Sequence, residues 1–263
     1  MKKILVVPDL QIPYHDVRAV SNLAKFIAKQ KFDQIISIGD EIDLPQISRW
    51  SENSPGWYEQ TLAADRDLAV EVLYDLQVTD MIRSNHTDRL YNVIMKKIPA
   101  FLSLPELRFE RFMKLDELGI KFHKKPLEFA PNWIAIHGDE GSVKPTPGLT
   151  ALEASKRHGK NVVCGHTHRA GSSAFTEASG GVLGRILRGY EVGNLMDFKQ
   201  ATYTKGSANW QQAFLVVYVD RNRVSPNLTY FEKDGSFIFE GKRYGWADWG
   251  LKPRTRRVLR FVI

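Results

Sequence analysis

Five short apolar runs, each ending on a side chain able to hold a metal ion, constrain this chain more than any other feature. Ile4-Leu5-Val6-Val7 leads to Asp9, Ile35-Ile36-Ser37-Ile38-Gly39 to Asp40, and Met81-Ile82-Arg83-Ser84 to Asn85 and His86. Trp133-Ile134-Ala135-Ile136 leads to His137, and Val162-Val163-Cys164-Gly165 to His166 and His168. Near-continuous β-branched runs of this length are what strands covered on both faces look like. Helix-like segments lie between them. Asp16 to Lys29 carries Val17, Val20, Leu23, Ala24 and Ile27 at helical spacing, with Asp16 placed as an N-cap. Leu62 to Leu76 repeats the pattern, Leu149 to Arg157 gives a shorter helix, and residues 97–118 read as helix interrupted by Pro99 and Pro105. Strands alternating with helices imply a layered α/β sheet with ligands beyond the carboxyl ends of the strands.

After residue 170 glycines punctuate the chain, and the stretch 171–193 reads as hairpin turns reaching over the site. It lacks the lysine and hydroxyl ending of a phosphate-binding loop. Phe214 to Asp220 reads as a strand, and Leu228–Phe231 and Ser236–Phe239 read as a hairpin about Asp234-Gly235. No linker or repeat divides the chain, so one domain over 1–263 is expected, with a basic tail from about 246 to 263. At 43% hydrophobic and 25% charged residues, extended disorder is excluded. No apolar stretch approaches the roughly 18–20 residues of a membrane span. The opening MKKILVVPD stops too early for a signal peptide, so a cytoplasmic protein is expected. The single cysteine, Cys164, excludes an internal disulfide and reads as a small core residue.

Asp9, Asp40, Asn85, His137, His166 and His168 are oxygen and nitrogen donors without a thiolate among them. That set suits hard or borderline divalent ions rather than a structural cysteine–zinc site. A glycine-flanked aspartate or a pair of exposed histidines has an ordinary turn explanation on its own. Five strand ends supplying metal-binding types in succession do not.

The ordered series Asp9-Leu-Gln11, Gly39-Asp40-Glu-Ile-Asp43, Asn85-His86, His137-Gly138 and Gly165-His166-Thr167-His168 resembles the calcineurin-like metallophosphoesterase superfamily over roughly the first 170 residues. The start PDLQIPYHD is reminiscent of bacteriophage or prophage members. The resemblance implies a two-sheet α/β sandwich flanked by helices in four layers. It further implies two divalent ions, manganese first, with iron, zinc, magnesium or nickel as alternatives. Asp40 would bridge them; Asp9, Gln11 and His168 would complete one site, and Asn85, His137 and His166 the other. His86 would sit beside the substrate as general acid or as an electrostatic partner of the leaving oxygen, oriented by Asp43. The chain departs from the pattern at Gln11, where histidine is usual, so looser binding of the first ion is expected. Ser84 stands where glycine is usual, and Asp88 is expected to support the Asn85-His86 pair.

The expected reaction is hydrolysis of a phosphate ester by a metal-bridging hydroxide. A phosphodiester in nucleic acid or a nucleotide comes first, because of the net charge of +7 and an aromatic loop carrying Trp50 and Trp57. Trp50 is a candidate for stacking on a base and Arg169 for reaching a substrate phosphate; packing and plain exposure are the alternatives. A phosphomonoesterase or protein phosphatase, or a non-catalytic scaffold, is the competing reading. His15, His123 and His158 read as surface or capping residues, with His15 also able to replace the missing imidazole at Gln11. Oligomeric state is not legible.

Overall fold

A computed structural model describes residues 1–48, 51–52, 55–58, 61–201 and 208–245. Trp50 and the basic tail 246–263 lie outside the described residues.

The apolar runs are strands because alternate side chains feed two different cores. In β1 (Lys2–Val7), Leu5 and Val7 face one apolar cluster and Ile4 and Val6 face another. The first cluster lies under α1 (Val17–Lys29), and the second lies between two sheets. Asp16 caps α1 by accepting from the backbone N–H of Arg18 and Ala19, as its position before the apolar stripe predicts. The first sheet continues through β2 (Gln34–Ser37), α2 (Pro55–Tyr58), α3 (Leu62–Asp75), β3 (Asp80–Ile82), α4 (Thr87–Lys97), α5 (Phe109–Phe112), α6 (Leu115–Leu118) and β4 (Lys121–His123). The second sheet holds β5 (Leu127–Ala130), β6 (Trp133–Ile136), β7 (Asn161–Cys164), β8 (Ala170–Ser179) and β9 (Val182–Val192), with α7 (Leu149–His158) leading into β7. The chain then returns to the first sheet as β10 (Ala213–Asp220) and β11 (Arg223–Tyr230), and ends its described part in β12 (Phe237–Phe239) and β13 (Lys242–Tyr244).

The first sheet runs β11-β10-β1-β2-β3-β4 and the second β5-β6-β7-β9-β8. β1 to β4 are mutually parallel, as are β6, β7 and β9, so the carboxyl ends of the motif strands lie together in each sheet. Ile4, Val6, Ile36, Ile38, Trp133 and Val163 share the core between the sheets. Ile134, Ile136 and Val162 form a third cluster with Ala151 and Ala154 of α7 on the outer face of the second sheet. Helix, sheet, sheet and helix therefore stack as the four layers expected. No helix among the described residues is long and apolar enough to cross a membrane.

One of the two hairpin expectations holds and the other needs correction. The glycine-rich stretch does form one hairpin, β8–β9, turning at Gly180-Gly181. The hairpin about Asp234-Gly235 does not form: β11 pairs with β10, and β12 pairs with β13. The turn itself exists, with Gly235 N–H donating to Glu232 O at 2.8 Å. Phe237 and Phe239 are drawn instead onto Phe26 of α1, at ring distances of 5.3 and 5.2 Å, where both rings are fully buried. Helix α4 is not legible in the sequence either. Its only buried residues are Thr87 and Leu90, while Tyr91 and Met95 are exposed, so it lacks a buried apolar stripe. The 97–118 segment breaks at its prolines into 3₁₀ turns, Pro99–Ser103 and Pro105–Leu107, followed by α5 and α6.

Candidate metal centre

The loops after β1, β2, β3, β6 and β7 converge at one rim of the sandwich. The two motif glycines before Asp40 and His166 are there because the strand ends approach each other closely. A Cβ on Gly39 would lie 2.6 Å from His137 Nδ1, and one on Gly165 would lie 2.2 Å from Asp9 Oδ1. Gln11, Asp40, His166 and His168 all adopt left-handed backbone conformations, with φ of 56°, 54°, 65° and 57°. Non-glycine residues held there cost on the order of 1–3 kcal/mol each, strain that the surrounding fold must over-determine.

Asp40, His137 and His166 bring ligand atoms within 4.8 Å of one another, and so do Asp9, Asp40 and His168. Asp40 belongs to both groups. His137 Nδ1 lies 3.0 Å from the Ile38 carbonyl, which can only accept, so Nδ1 carries a proton. Its Nε2 then faces two oxygens, Asn85 Oδ1 at 3.0 Å and Asp40 Oδ1 at 3.3 Å. Burial opposes charge on His137, but Asp40 and Asp9 outweigh it and raise its pKa to about 10. Asp40, despite its burial, is held well below the usual carboxylate range by His137 and His86. Asp9 is pushed well above that range by burial, and burial takes His168 down to about 3.

Three buried polar atoms in this cluster have no hydrogen-bond partner: Asp9 Oδ1, Asp40 Oδ1 and His168 Nδ1. A folded protein seldom leaves such atoms orphaned, and the converging carboxylate and imidazole groups of the two donor sets are of the types that bind divalent cations. The residues present fit a metal centre. Gln11 behaves differently from a ligand: its Nε2 donates to Asp40 Oδ2 at 3.1 Å and lies 3.2 Å from His168 Nε2. With acceptors on both sides, it is the amide nitrogen that faces the cluster.

His86 sits at the start of α4, with Nδ1 3.3 Å from the Ile42 carbonyl and 3.4 Å from Asp43 Oδ1. Its Nε2 is 3.5 Å from Asp40 Oδ2 and receives a hydrogen bond from Arg89 Nη2. That pattern fixes the neutral tautomer protonated on Nδ1. Burial, helped by the Arg89 guanidinium, lowers the His86 pKa. Arg89 also bonds Asp43 through both its carboxylate and its carbonyl. Sequence reasoning missed Arg89; its position three residues after His86 on a helix was the available signal. Glu41, fully buried with Oε1 2.5 Å from Ser37 Oγ, is raised by burial to about 7.

The remaining expectations divide. Asp88 pairs with Arg83, which also donates to Asp139 Oδ2 at 2.7 Å, tying the Asn85-His86 loop to the loop after His137. Arg169 turns its guanidinium to the Lys144 carbonyl at 2.7 Å. His15, expected at the surface, is buried; it lies outside both donor groups. The reason is the loop 194–197, which closes over it by a bridge from His15 to Met196. His123 pairs with Asp80 and His158 with Glu140, both away from the donors. Cys164 is buried in β7. Trp210, also missed, stacks edge-on to His168 at 4.4 Å; nothing in its local sequence signals this.

No family model matches the chain. The Gene 54 protein of Mycobacterium phage D29 is 35% identical over 238 residues, covering 86% of this chain and 92% of that protein. The Gene 54 protein of Mycobacterium phage L5 is 32% identical over 252 residues, covering 92% and 98%. Among solved structures, a single mutant of Vps29 from Entamoeba histolytica aligns with TM-score 0.44 and 11% identity over 92% of this chain and 95% of that one. Vps29 from Cryptosporidium parvum aligns with TM-score 0.45 and 13% identity over 92% and 94%. Sequence identity spread over nearly the full length of both phage proteins places this chain in the family of the mycobacteriophage Gene 54 proteins.

Proposed function

We propose that this protein is a metal-dependent phosphoesterase of the calcineurin-like type, cleaving a phosphodiester in nucleic acid or a nucleotide, inside the host cell. The observation that carries the reading is the pair of donor groups sharing Asp40, with orphaned carboxylate oxygens on Asp9 and Asp40. In this reading Asp9, Asp40 and His168, with Gln11 beside them, would hold one divalent ion, and Asp40, Asn85, His137 and His166 the other. Manganese is the first choice, with iron, zinc, magnesium or nickel as alternatives. Bound divalent ions supply the electrophilic activation and charge neutralisation that phosphate-ester hydrolysis needs.

The chain's own groups supply the rest. His137, tied through Nδ1 to Ile38, presents Nε2 toward the shared carboxylate. Neutral with its proton on Nδ1, His86 would bind a proton from solvent at Nε2 once Arg89 turns from it to a phosphate oxygen, and would give that proton to the leaving oxygen. Asp43 holds the far nitrogen and stabilises the imidazolium during that exchange. The buried setting of His86 strengthens each of these charge interactions.

The test is manganese-dependent hydrolysis of bis-p-nitrophenyl phosphate by wild type, His86→Ala and Asp40→Asn. Turnover that needs metal and falls by about 10²-fold or more in both variants is expected, the size typical of losing a general acid. Full activity in Asp40→Asn sinks the shared-ligand assignment. Turnover of p-nitrophenyl phosphate alone replaces the diester by a monoester substrate.

A further inference from the structure

The loop Gly165–His168 places two candidate ligands around a single threonine, and that threonine is gripped by a buried acid from a neighbouring strand. Glu191, on β9, has no solvent exposure. Its Oε2 accepts from Thr167 Oγ1 at 2.8 Å, and its Oε1 accepts from Thr150 N at 2.8 Å and Ala151 N at 3.4 Å. Those two N–H groups belong to the first turn of α7, whose own N-cap, Gly148, offers no side chain. One carboxylate therefore serves as the missing cap of α7 and as the anchor of the loop between His166 and His168.

The backbone is shaped to deliver it. Gly189 lies two residues before Glu191 on the same face of β9, and a Cβ there would lie 2.2 Å from Leu152 N. Only glycine lets β9 come close enough to α7 for Glu191 to reach the helix N-terminus. The other restraints on the loop sit on its flanks. Asp9 Oδ2 accepts from His166 N at 2.9 Å, and Asn194 Nδ2 donates to the His168 carbonyl at 2.9 Å. The hydroxyl of Thr167 also accepts from Arg169 N at 3.2 Å, so its proton is directed to Glu191. Both histidines are in left-handed conformations, which a free loop would relax.

We propose that Glu191 is a positioning residue for the metal centre: acting through Thr167, it holds His166 and His168 at the spacing two metal sites require. This rests on reading those histidines as ligands. The prediction is specific because the Glu191–Thr167 link can be cut without removing Glu191 from the α7 N-terminus. Thr167→Val keeps the shape and deletes the hydroxyl; Thr167→Ser keeps the hydroxyl. Ser155, which bonds the Ala151 and Arg188 carbonyls, ties α7 to β9 without touching the loop. Ser155→Ala is therefore the control for mere loosening of that interface.

The experiment is calorimetric titration of the full chain, freed of metal, with manganese, alongside its thermal midpoint without metal. Thr167→Val is expected to weaken manganese binding roughly 10- to 100-fold, the range for partners that orient metal ligands. Thr167→Ser restores affinity to within about threefold, and Ser155→Ala lowers the midpoint with affinity unchanged. Equal affinity in wild type and Thr167→Val overturns the proposal while the metal centre stands. Equal weakening by Ser155→Ala also overturns it, because the effect then belongs to the α7–β9 interface at large. A wild-type chain that binds no manganese, zinc or magnesium overturns the metal centre and this role together.

Discussion

Around Phe26, five aromatic rings, those of Phe32, Phe214, Phe237, Phe239 and Tyr244, lie with centroids 4.8 to 5.8 Å away. Around Asp40, at the rim of the same sandwich, sit orphaned carboxylate oxygens, an unpartnered imidazole nitrogen and four strained residues. The aromatic cluster is complete as it stands, since edge-to-face rings satisfy one another and leave no polar atom without a partner. The rim is a set of polar groups held together at a cost in strain and desolvation, and in the proposed reading a cation completes it. Stability and chemistry are thus supplied by different parts of the fold, and the parallel strands transmit one to the other.

The largest effect should come from breaking the aromatic side of this contrast. Phe26→Ala removes the ring on which the others converge and is expected to cost about 3–5 kcal/mol of stability. Urea denaturation should report that loss, while manganese affinity of the folded variant stays within about twofold of wild type. A parallel loss of metal affinity would show that the two regions are not independent.

An intermediate effect should come from completing the rim. Gln11 turns an amide nitrogen toward Asp40 and His168, so it donates where a ligand would accept. Gln11→His supplies an imidazole at a left-handed position that histidine tolerates better than most residues. If the proposed two-ion centre is right, manganese should then bind its weaker site about tenfold more tightly, or about 1.4 kcal/mol. Calorimetry that finds a single unchanged affinity would mean that position 11 lies outside the coordination sphere.

The same contrast explains what could be read from the residues alone. Strands buried on both faces must be apolar without interruption, so β1, β2, β6 and β7 announce themselves, and the donors follow because they must stand at strand ends. Asp40, His137, His166, Asp9 and His168 meet as that logic requires. What stays hidden is whatever depends on tertiary approach. Glu191 reads as an ordinary strand residue until Gly189 is seen to bring β9 against α7. Arg89 reads as a surface helix charge until the Asp43 loop folds back on it. The Asp234-Gly235 turn is legible, but its partner strand is chosen by the pull of the Phe26 cluster, a long-range choice that turn chemistry does not contain.

The finest test of the comparison uses a buried carboxylate that the protein itself satisfies. Asp80, at the start of β3, accepts from His123 Nε2 at 2.7 Å, Thr79 Oγ1 at 2.8 Å and Gln34 Nε2 at 3.0 Å. Burial would raise its pKa, but the hydrogen bonds from His123, Thr79 and Gln34 outweigh burial and lower it. Asp9, just past the carboxyl end of β1, has an orphaned oxygen and a pKa moved the opposite way by burial. The sign of the pH effect follows from linkage. A folded-state pKa below the unfolded value means that Asp80 stabilises the fold fully above the unfolded pKa, and that this is lost as pH falls through the folded one. Asp80→Asn should therefore lower the thermal midpoint at pH 7 by on the order of 2 °C, and the gap to wild type should close on acidification below about pH 4. A gap that holds constant from neutral pH down to about pH 3 would mean that Asp80 contributes through packing rather than charge. The difference between a carboxylate completed by its neighbours and one left with an orphaned oxygen would then have to be sought at Asp9 alone.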